Sequence, residues 1–156
     1  MRKAAPVSAA DRAGMEAALD QARLAASHDE VPVGAVISRN GDVLVRAHNE
    51  TVARRDPTAH AELLAIQQAL QVATSDRLED CTLYVTLEPC AQCAGALVLA
   101  KVGWLVFGAY DEKSGMCGSV GDVVRNPRLN HRVTVQGGVI EEACGALLTA
   151  FFKSNR

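Results

Sequence analysis

The spacing of apolar positions changes along the chain, and each change marks a predicted element. From Ser8 to about Ser27, apolar residues recur every three or four positions, which predicts an amphipathic helix. Two short apolar runs, 33–37 and 43–45, then flank the dipeptide Asn40-Gly41. This pattern is typical of an antiparallel β-hairpin with a two-residue turn. The chain therefore begins with a helix followed by a hairpin.

Beyond the hairpin, predicted helices alternate with strands. A polar loop over 49–57 precedes a helix that begins at about His60. β-Branched and aromatic residues predict a strand over 82–87, and Pro89 is expected to be the first residue of a helix that continues to residue 102. A buried run at 104–107, a short strand over 132–136 and a helix over about 140–153 follow. The stretch 108–130 is a long glycine-punctuated loop, and loops of this length in a compact domain are usually functional.

The predicted order, α-β-β-α-β-α-β-β-α, indicates a mixed α/β fold in which helices cover a sheet. Helices between the later strands imply parallel pairs beside one antiparallel hairpin. No repeat, low-complexity segment or linker interrupts the 156 residues, so we expect a single domain over 1–156.

Composition narrows the class of protein further. The net charge of −2 argues against a large basic face for nucleic acid, although a local basic patch remains possible. No stretch approaches the roughly 20 apolar residues of a membrane span, and residues 1–10 lack the apolar core of a secretory signal. We therefore expect a cytoplasmic protein without a membrane partner. The five cysteines, an odd number, favour metal binding or reduced core thiols over a disulfide framework.

Two segments carry residues that bind metals. His60 and Glu62 lie in the first segment, 57–62, while Cys90 and Cys93 lie in the second, 88–93. Each segment lies at a predicted helix start, and the positive end of a helix favours the thiolate form of cysteine. One imidazole and two thiolates are ligands that zinc prefers. The spacing therefore predicts a zinc site made of His60, Cys90 and Cys93, whereas Glu88 is interpreted as an acidic residue at a helix start.

The fourth zinc ligand would decide the class of site. Structural zinc sites have four protein ligands, whereas catalytic sites have three and a water molecule. Cys81, Cys117 and Cys144 are candidates for the fourth ligand, and Cys117 would make the chain a non-catalytic, zinc-stabilised module that binds RNA or protein. If water takes that position instead, Glu62 can act as the general acid and base.

The segment His60-Ala61-Glu62 followed by Pro89-Cys90-Ala91-Gln92-Cys93 matches the H-x-E…P-C-x-x-C signature of zinc nucleobase deaminases. Longer stretches, from about Met15 to Lys153, resemble the bacterial tRNA-specific adenosine deaminases of the cytidine/deoxycytidylate deaminase superfamily; they are 31–36, 56–62, 83–90, 107–109 and 130–133. The resemblance implies a three-layer cytidine-deaminase-like α/β fold, with a five-stranded mixed sheet flanked by helices.

The resemblance also implies an activity. Members of this family hydrolyse the wobble adenosine of a tRNA anticodon loop to inosine and ammonia, as homodimers with one zinc ion per subunit. By analogy, His60, Cys90 and Cys93 hold the zinc, zinc-bound hydroxide attacks C6 of adenine, and Glu62 shuttles the proton. The alternative is a deaminase of a free base or nucleoside, such as guanine or cytidine.

Substrate contacts are expected around the same centre. The resemblance implies that Asn49 hydrogen-bonds the flipped purine, and Ala61 is small enough for a ring to approach closely. The other residues expected to contact the substrate are Val33, Asp111, Lys113, Arg54, Arg55, Phe152 and Lys153, and Arg156 is a further candidate for a phosphate contact.

Overall fold

A computed structural model describes residues 6–155, which form four helices on the two faces of a five-stranded sheet. The element order agrees with the prediction from sequence. The elements are α1 (Ala9–Ser27), β1 (Gly34–Arg39), β2 (Asp42–His48), α2 (Ala61–Val72), β3 (Cys81–Leu87), α3 (Ala91–Leu99), β4 (Trp104–Ala109), β5 (Thr134–Gln136) and α4 (Glu141–Ser154).

The strands lie in the order β2-β1-β3-β4-β5. The hairpin β1–β2 turns through Asn40 and Gly41, both with positive φ, which is the geometry that an Asn-Gly turn favours. Antiparallel pairing extends beyond the hairpin, because β1 also pairs antiparallel with β3. The connection through α2 carries the chain past β1, so β3 runs in the same direction as β2 and lies on the other side of β1. The pairs β3–β4 and β4–β5 are parallel. Helix α3 between β3 and β4 predicts the first pair, whereas a long loop without a helix joins β4 to β5.

Alternate residues of the strands face two separate cores, because successive side chains of a strand point to opposite faces of the sheet. Val36, Tyr84 and Val106 pack beneath α1 and α4. Ile37 and Leu83 belong to the other core, which includes buried residues of α2 and α3. The helices α2 and α3 therefore lie side by side on one face, where they contact each other.

Helix α3 differs from the prediction at both ends. It begins at Ala91 with Cys90 as its N-cap residue, so Pro89 lies outside the helix instead of being its first residue. It ends at Leu99 and not at 102, because Lys101 adopts a positive φ of 57° and the amides of Lys101 and Val102 donate to the carbonyls of Val98 and Leu97. This is a Schellman motif, which closes the helix without a glycine.

Among residues 6–155, no helix combines the length and the apolar character needed to cross a membrane.

Candidate active site

Two helix N-termini converge on one point of the α2–α3 face. His60 is the N-cap residue of α2 and Cys90 is the N-cap residue of α3, and neither side chain caps its own helix. The Nδ1 atom of His60 lies 3.5 Å from Sγ of Cys90 and 3.6 Å from Sγ of Cys93. Gln92 joins the two segments, because its side-chain amide donates to the carbonyl of Thr58 at 3.0 Å. The sequence spacing thus brings the three predicted ligands together.

The donor set of this cluster fits a zinc ion. The potential ligand atoms of His60, Cys90 and Cys93 all lie within 4.8 Å of one another. Hydrogen bonds from Cys93 and His60 hold the pKa of Cys90 far below that of a free thiol, whereas the bond with Cys90 and burial raise the pKa of Cys93. These contacts favour the thiolate form of Cys90, and thiolate is the form of cysteine that binds a metal.

The other three cysteines lie outside this group. Cys117 is buried in the loop after β4, with its thiol 3.8 Å from the carbonyl of Pro89. Cys81 begins β3, and Cys144 packs against Gly108. Within the described part of the chain, the cluster thus offers three protein ligands, which is the number typical of catalytic zinc sites. The interpretation of a closed site completed by Cys117 finds no support.

Glu62 is buried beside the cluster, in the first turn of α2, and is only 4% exposed. Burial raises the pKa of its carboxyl group to about 7, although a backbone hydrogen bond and the ring of His60 act in the opposite direction. A carboxyl group with such a pKa can accept a proton and return it near neutral pH, as general acid–base catalysis requires.

A cavity of about 240 Å³ adjoins Glu62 and the cluster. Val33, Asn49 and Ala61, three of the residues expected to contact the substrate, line it. Asn49 is 5% exposed, and its backbone amide donates to the carbonyl of Val33 at 3.0 Å, which joins two walls of the cavity. No hydrogen bond joins the Asn49 side chain to another residue in the range 6–155, so its amide is available to a ligand in the cavity.

The charged candidates lie at the edges of the site. Asp111 lines the cavity, but its carboxylate also accepts the backbone N–H groups of Lys113 and Ser114, both at 3.0 Å. Lys113 is exposed and does not line the cavity. Arg54 forms an ion pair with Glu50 at 3.3 Å.

A second cavity of about 450 Å³ lies next to the first and shares Val31, Asn49 and His60 with it. Arg55 lines this second cavity and has a positive φ of 51°. Since they share these residues, the two cavities adjoin each other.

The candidates at the C-terminal end are not brought to the cavity. Phe152 and Lys153 lie on α4, which packs on the opposite face of the sheet from α2 and α3, and neither lines the two cavities. Phe152 is 53% exposed and contacts Phe151 edge to face. Arg156 lies outside the described residues.

Two buried glutamates next to the site were not predicted as functional. Glu30 accepts the backbone N–H groups of Val52 and Ala53. Glu88 was interpreted as an acidic residue at a helix start, but its carboxylate instead binds the loop after β4, at residues up to 31 positions away. The sequence gives one signal for the role of Glu88, namely an acidic residue at the end of an apolar strand. That signal does not reveal the donors in the distant loop.

Comparison with known proteins indicates deaminases. A family model described as MafB19-like deaminase matches residues 10–156. The chain is 45% identical over 146 residues to the tRNA-specific adenosine deaminase of Bacillus subtilis (strain 168), with 94% of this chain and 91% of that protein covered. It is similar to a structure solved in a study of A-to-I editing by tRNA:A34 deaminases at the wobble position (TM-score 0.81, 39% identity, 87% of this chain and 99% of the other). A guanine deaminase from Nitrosomonas europaea has the same fold (TM-score 0.74, 27% identity, 96% and 85% covered).

Proposed function

The chain belongs to the bacterial tRNA-specific adenosine deaminases, within the MafB19-like deaminase family, and we propose that it hydrolyses the wobble adenosine of a tRNA anticodon loop to inosine and ammonia. The observation that carries this proposal is the three-ligand cluster of His60, Cys90 and Cys93 beside the buried carboxyl group of Glu62. A site with three protein ligands and an adjacent general base is suited to the hydrolysis of an amino-substituted ring.

His60, Cys90 and Cys93 would hold one zinc ion per subunit. When bound, zinc supplies Lewis acidity that makes a water molecule nucleophilic near neutral pH. Glu62 takes one proton from the attacking water and delivers it to a ring nitrogen of adenine. It then takes the second proton of that water, from the oxygen now bonded to the ring carbon, and gives it to the amine, which departs as ammonia. Its buried position, with a pKa of about 7, supports both halves of this role.

The cavity walls orient the base. The side chain of Asn49 hydrogen-bonds the flipped purine, since its amide has both donors and an acceptor available in the cavity. Val33 and Ala61 add apolar surface, and Ala61 has no bulk that would keep the ring away from Glu62. Asp111 lies at the edge of the cavity, where a nucleotide that enters would pass it.

Recognition of the RNA rests on the surroundings of this cavity. A single-stranded anticodon loop presents bases that can be splayed out at a cost of at most a few kcal/mol. The adjoining cavity of about 450 Å³, lined by Arg55, gives space beside the base cavity for a flanking nucleotide. Arg54 is the neighbour of Arg55 in the sequence, and Lys113 lies two residues after Asp111, so both are candidates for phosphate contacts. Phe152 and Lys153 would contact RNA only if the RNA extended to the other face of the sheet.

The alternative, a deaminase of free guanine or cytidine, is not favoured. The guanine deaminase shares 27% of residues with this chain, whereas the Bacillus subtilis tRNA-specific enzyme shares 45%. The two classes share the fold, so the higher identity to the tRNA-specific enzyme is the observation that favours a tRNA substrate.

The assembly of the enzyme is part of the proposal. One deaminase domain accounts for residues 1–156, and two copies form a homodimer that acts in the cytoplasm, where tRNA is found. Exposed apolar side chains on adjacent helices, Val72 at the end of α2 and Leu99 on α3, give a surface that a second copy can cover.

The test is a substrate panel with zinc-loaded protein. An anticodon stem-loop with adenosine at the wobble position is compared with the same stem-loop carrying that adenosine one nucleotide further 3′, and with free adenosine, guanine and cytidine. Inosine formed only from the first RNA supports the proposal. Turnover of a free base without RNA would contradict the tRNA assignment.

A further inference from the structure

The Glu88 carboxylate is the centre of a hydrogen-bond network next to the cavity. It is 2% exposed and accepts four hydrogen bonds, two on each oxygen. Oε1 accepts the amide of Asp111 at 3.1 Å and the hydroxyl of Ser119. Oε2 accepts the amides of Cys117 at 3.0 Å and Ser119 at 3.1 Å. All four donors belong to one loop, 111–119, so this side chain organises that loop.

The packing around the carboxylate matches this role. A Cβ atom on Gly115 would lie 2.3 Å from Cδ of Glu88 and 2.5 Å from its Oε2, so only glycine allows the loop to close around the carboxylate. The amide of Met116 donates to the carbonyl of Pro89, directly after Glu88 in the chain. The loop is therefore attached to the turn that leads into the cluster.

The position of Glu88 connects this loop to the site. Glu88 follows the last residue of β3, lies two positions before Cys90 and lines the cavity itself. Asp111 and Ser114 of the same loop also line the cavity. One buried side chain thus sets the distance between the cluster and the cavity wall that the loop supplies.

We infer that Glu88 is a positioning residue, which fixes the 111–119 loop as a preformed wall of the substrate cavity so that RNA binding does not have to order it. The expected change in KM rests on the proposed function, whereas the expected change in amide exchange does not. Four donors converge on the two oxygens, so a side chain with two acceptor oxygens fits and an amide does not, because the NH₂ group of glutamine would face N–H donors.

The first test follows amide exchange by mass spectrometry in zinc-loaded protein. In Glu88→Gln, peptides covering 110–121 should exchange about tenfold faster or more than in the wild type, while peptides of β3 and β4 remain protected. Glu30→Gln is the matched control, because Glu30 is equally buried and accepts two amides of the 51–55 turn. Glu30→Gln should raise the amide exchange of peptides covering 50–57 and leave the exchange of 110–121 unchanged. Unchanged exchange of 110–121 in Glu88→Gln would overturn the inference.

The second test uses KM, which does not depend on the fraction of active protein. KM for the stem-loop should rise about tenfold in Glu88→Gln, because binding must then order the loop. Tyr84→Phe removes a hydroxyl that donates to Asp11 on the other face of the sheet, and it should leave KM unchanged. Faster amide exchange of 110–121 together with an unchanged KM would overturn the inference, because binding would then not depend on a preformed loop.

Milder variants keep the test decisive if Glu88→Gln does not fold. Ser119→Ala removes one of the four hydrogen bonds and should raise both exchange of 110–121 and KM about two- to threefold. Wild-type values in Ser119→Ala and in Glu88→Asp would overturn the inference. The exchange experiment requires no turnover, so failure of the proposed function, seen as no inosine from the wild type, remains distinguishable.

Discussion

Replacing Asn49 by alanine should lower the activity and leave the stability of the fold nearly unchanged. Asn49 is 5% exposed, and its side-chain amide has no hydrogen-bond partner elsewhere in residues 6–155. Its backbone amide, which donates to the carbonyl of Val33, is unaffected by the substitution. The Asn49 amide faces the cavity and adds no hydrogen bond to the fold, so the free energy of unfolding should change by less than about 1 kcal/mol.

The effect on catalysis should be much larger. An amide side chain can form two hydrogen bonds with a purine, and each neutral bond contributes about 0.5–1.5 kcal/mol. Together they amount to about 1–3 kcal/mol of transition-state stabilisation, which corresponds to a loss of roughly 5- to 150-fold in kcat/KM.

Two measurements check this prediction on the same preparation. Urea unfolding gives the change in stability, and initial rates of inosine formation from the anticodon stem-loop give kcat/KM. If Asn49→Ala kept full kcat/KM, Asn49 would not bind the base. If stability fell by more than about 2 kcal/mol, the side chain would have a structural partner that this reasoning excludes.

Three further predictions concern the metal, the fold and the assembly. Removal of zinc by a chelator should abolish inosine formation and lower the melting temperature, and stoichiometric zinc should restore both; activity that persists in verified metal-free protein would refute the metal centre. Tyr84→Phe should cost about 0.5–1.5 kcal/mol in urea unfolding and leave kcat/KM unchanged, because the bond from its hydroxyl to Asp11 lies away from the cavity; a change in kcat/KM would contradict this. Leu99→Glu should weaken the dimer in sedimentation velocity without unfolding the subunit, since Leu99 is 82% exposed; an unchanged dimer would show that α3 is not the interface.

Local features of the fold were predictable because neighbours in sequence determine them. Asn40-Gly41 predicted a two-residue hairpin turn, and both residues adopt the positive φ that such a turn requires. The N-cap of α1 is equally local, since Ser8 accepts the amide of Asp11, three residues further along the chain.

Features that depend on distant partners were predicted less completely. The antiparallel pairing of β1 with β3 follows from the path of α2 across the sheet, which the order of elements alone does not specify. Pro89 suits the first position of a helix, but Cys90 takes the N-cap position instead. The Schellman motif at Lys101 needs a positive φ at a lysine, for which propensities give no signal.

The residues of the candidate site likewise fall into those that local sequence identified and those that depend on distant partners. His60, Glu62, Cys90 and Cys93 were identified because two helix starts in the sequence carry them, and the fold brings the three ligands together. Glu88 was misinterpreted because its partners lie 23 to 31 positions further along the chain. Phe152 and Lys153 were selected by residue type alone, and their helix packs on the face of the sheet opposite α2 and α3.

The most direct test of the account is inosine formation from the wobble-adenosine stem-loop by zinc-loaded Glu62→Gln beside the wild type, with metal content measured in both. The substitution keeps the size of the side chain but removes its ability to move a proton. The account predicts equal zinc, a folded protein and loss of turnover by at least about a hundredfold. Full turnover by zinc-loaded Glu62→Gln would contradict the assignment of Glu62 as the proton shuttle, and with it the proposed mechanism.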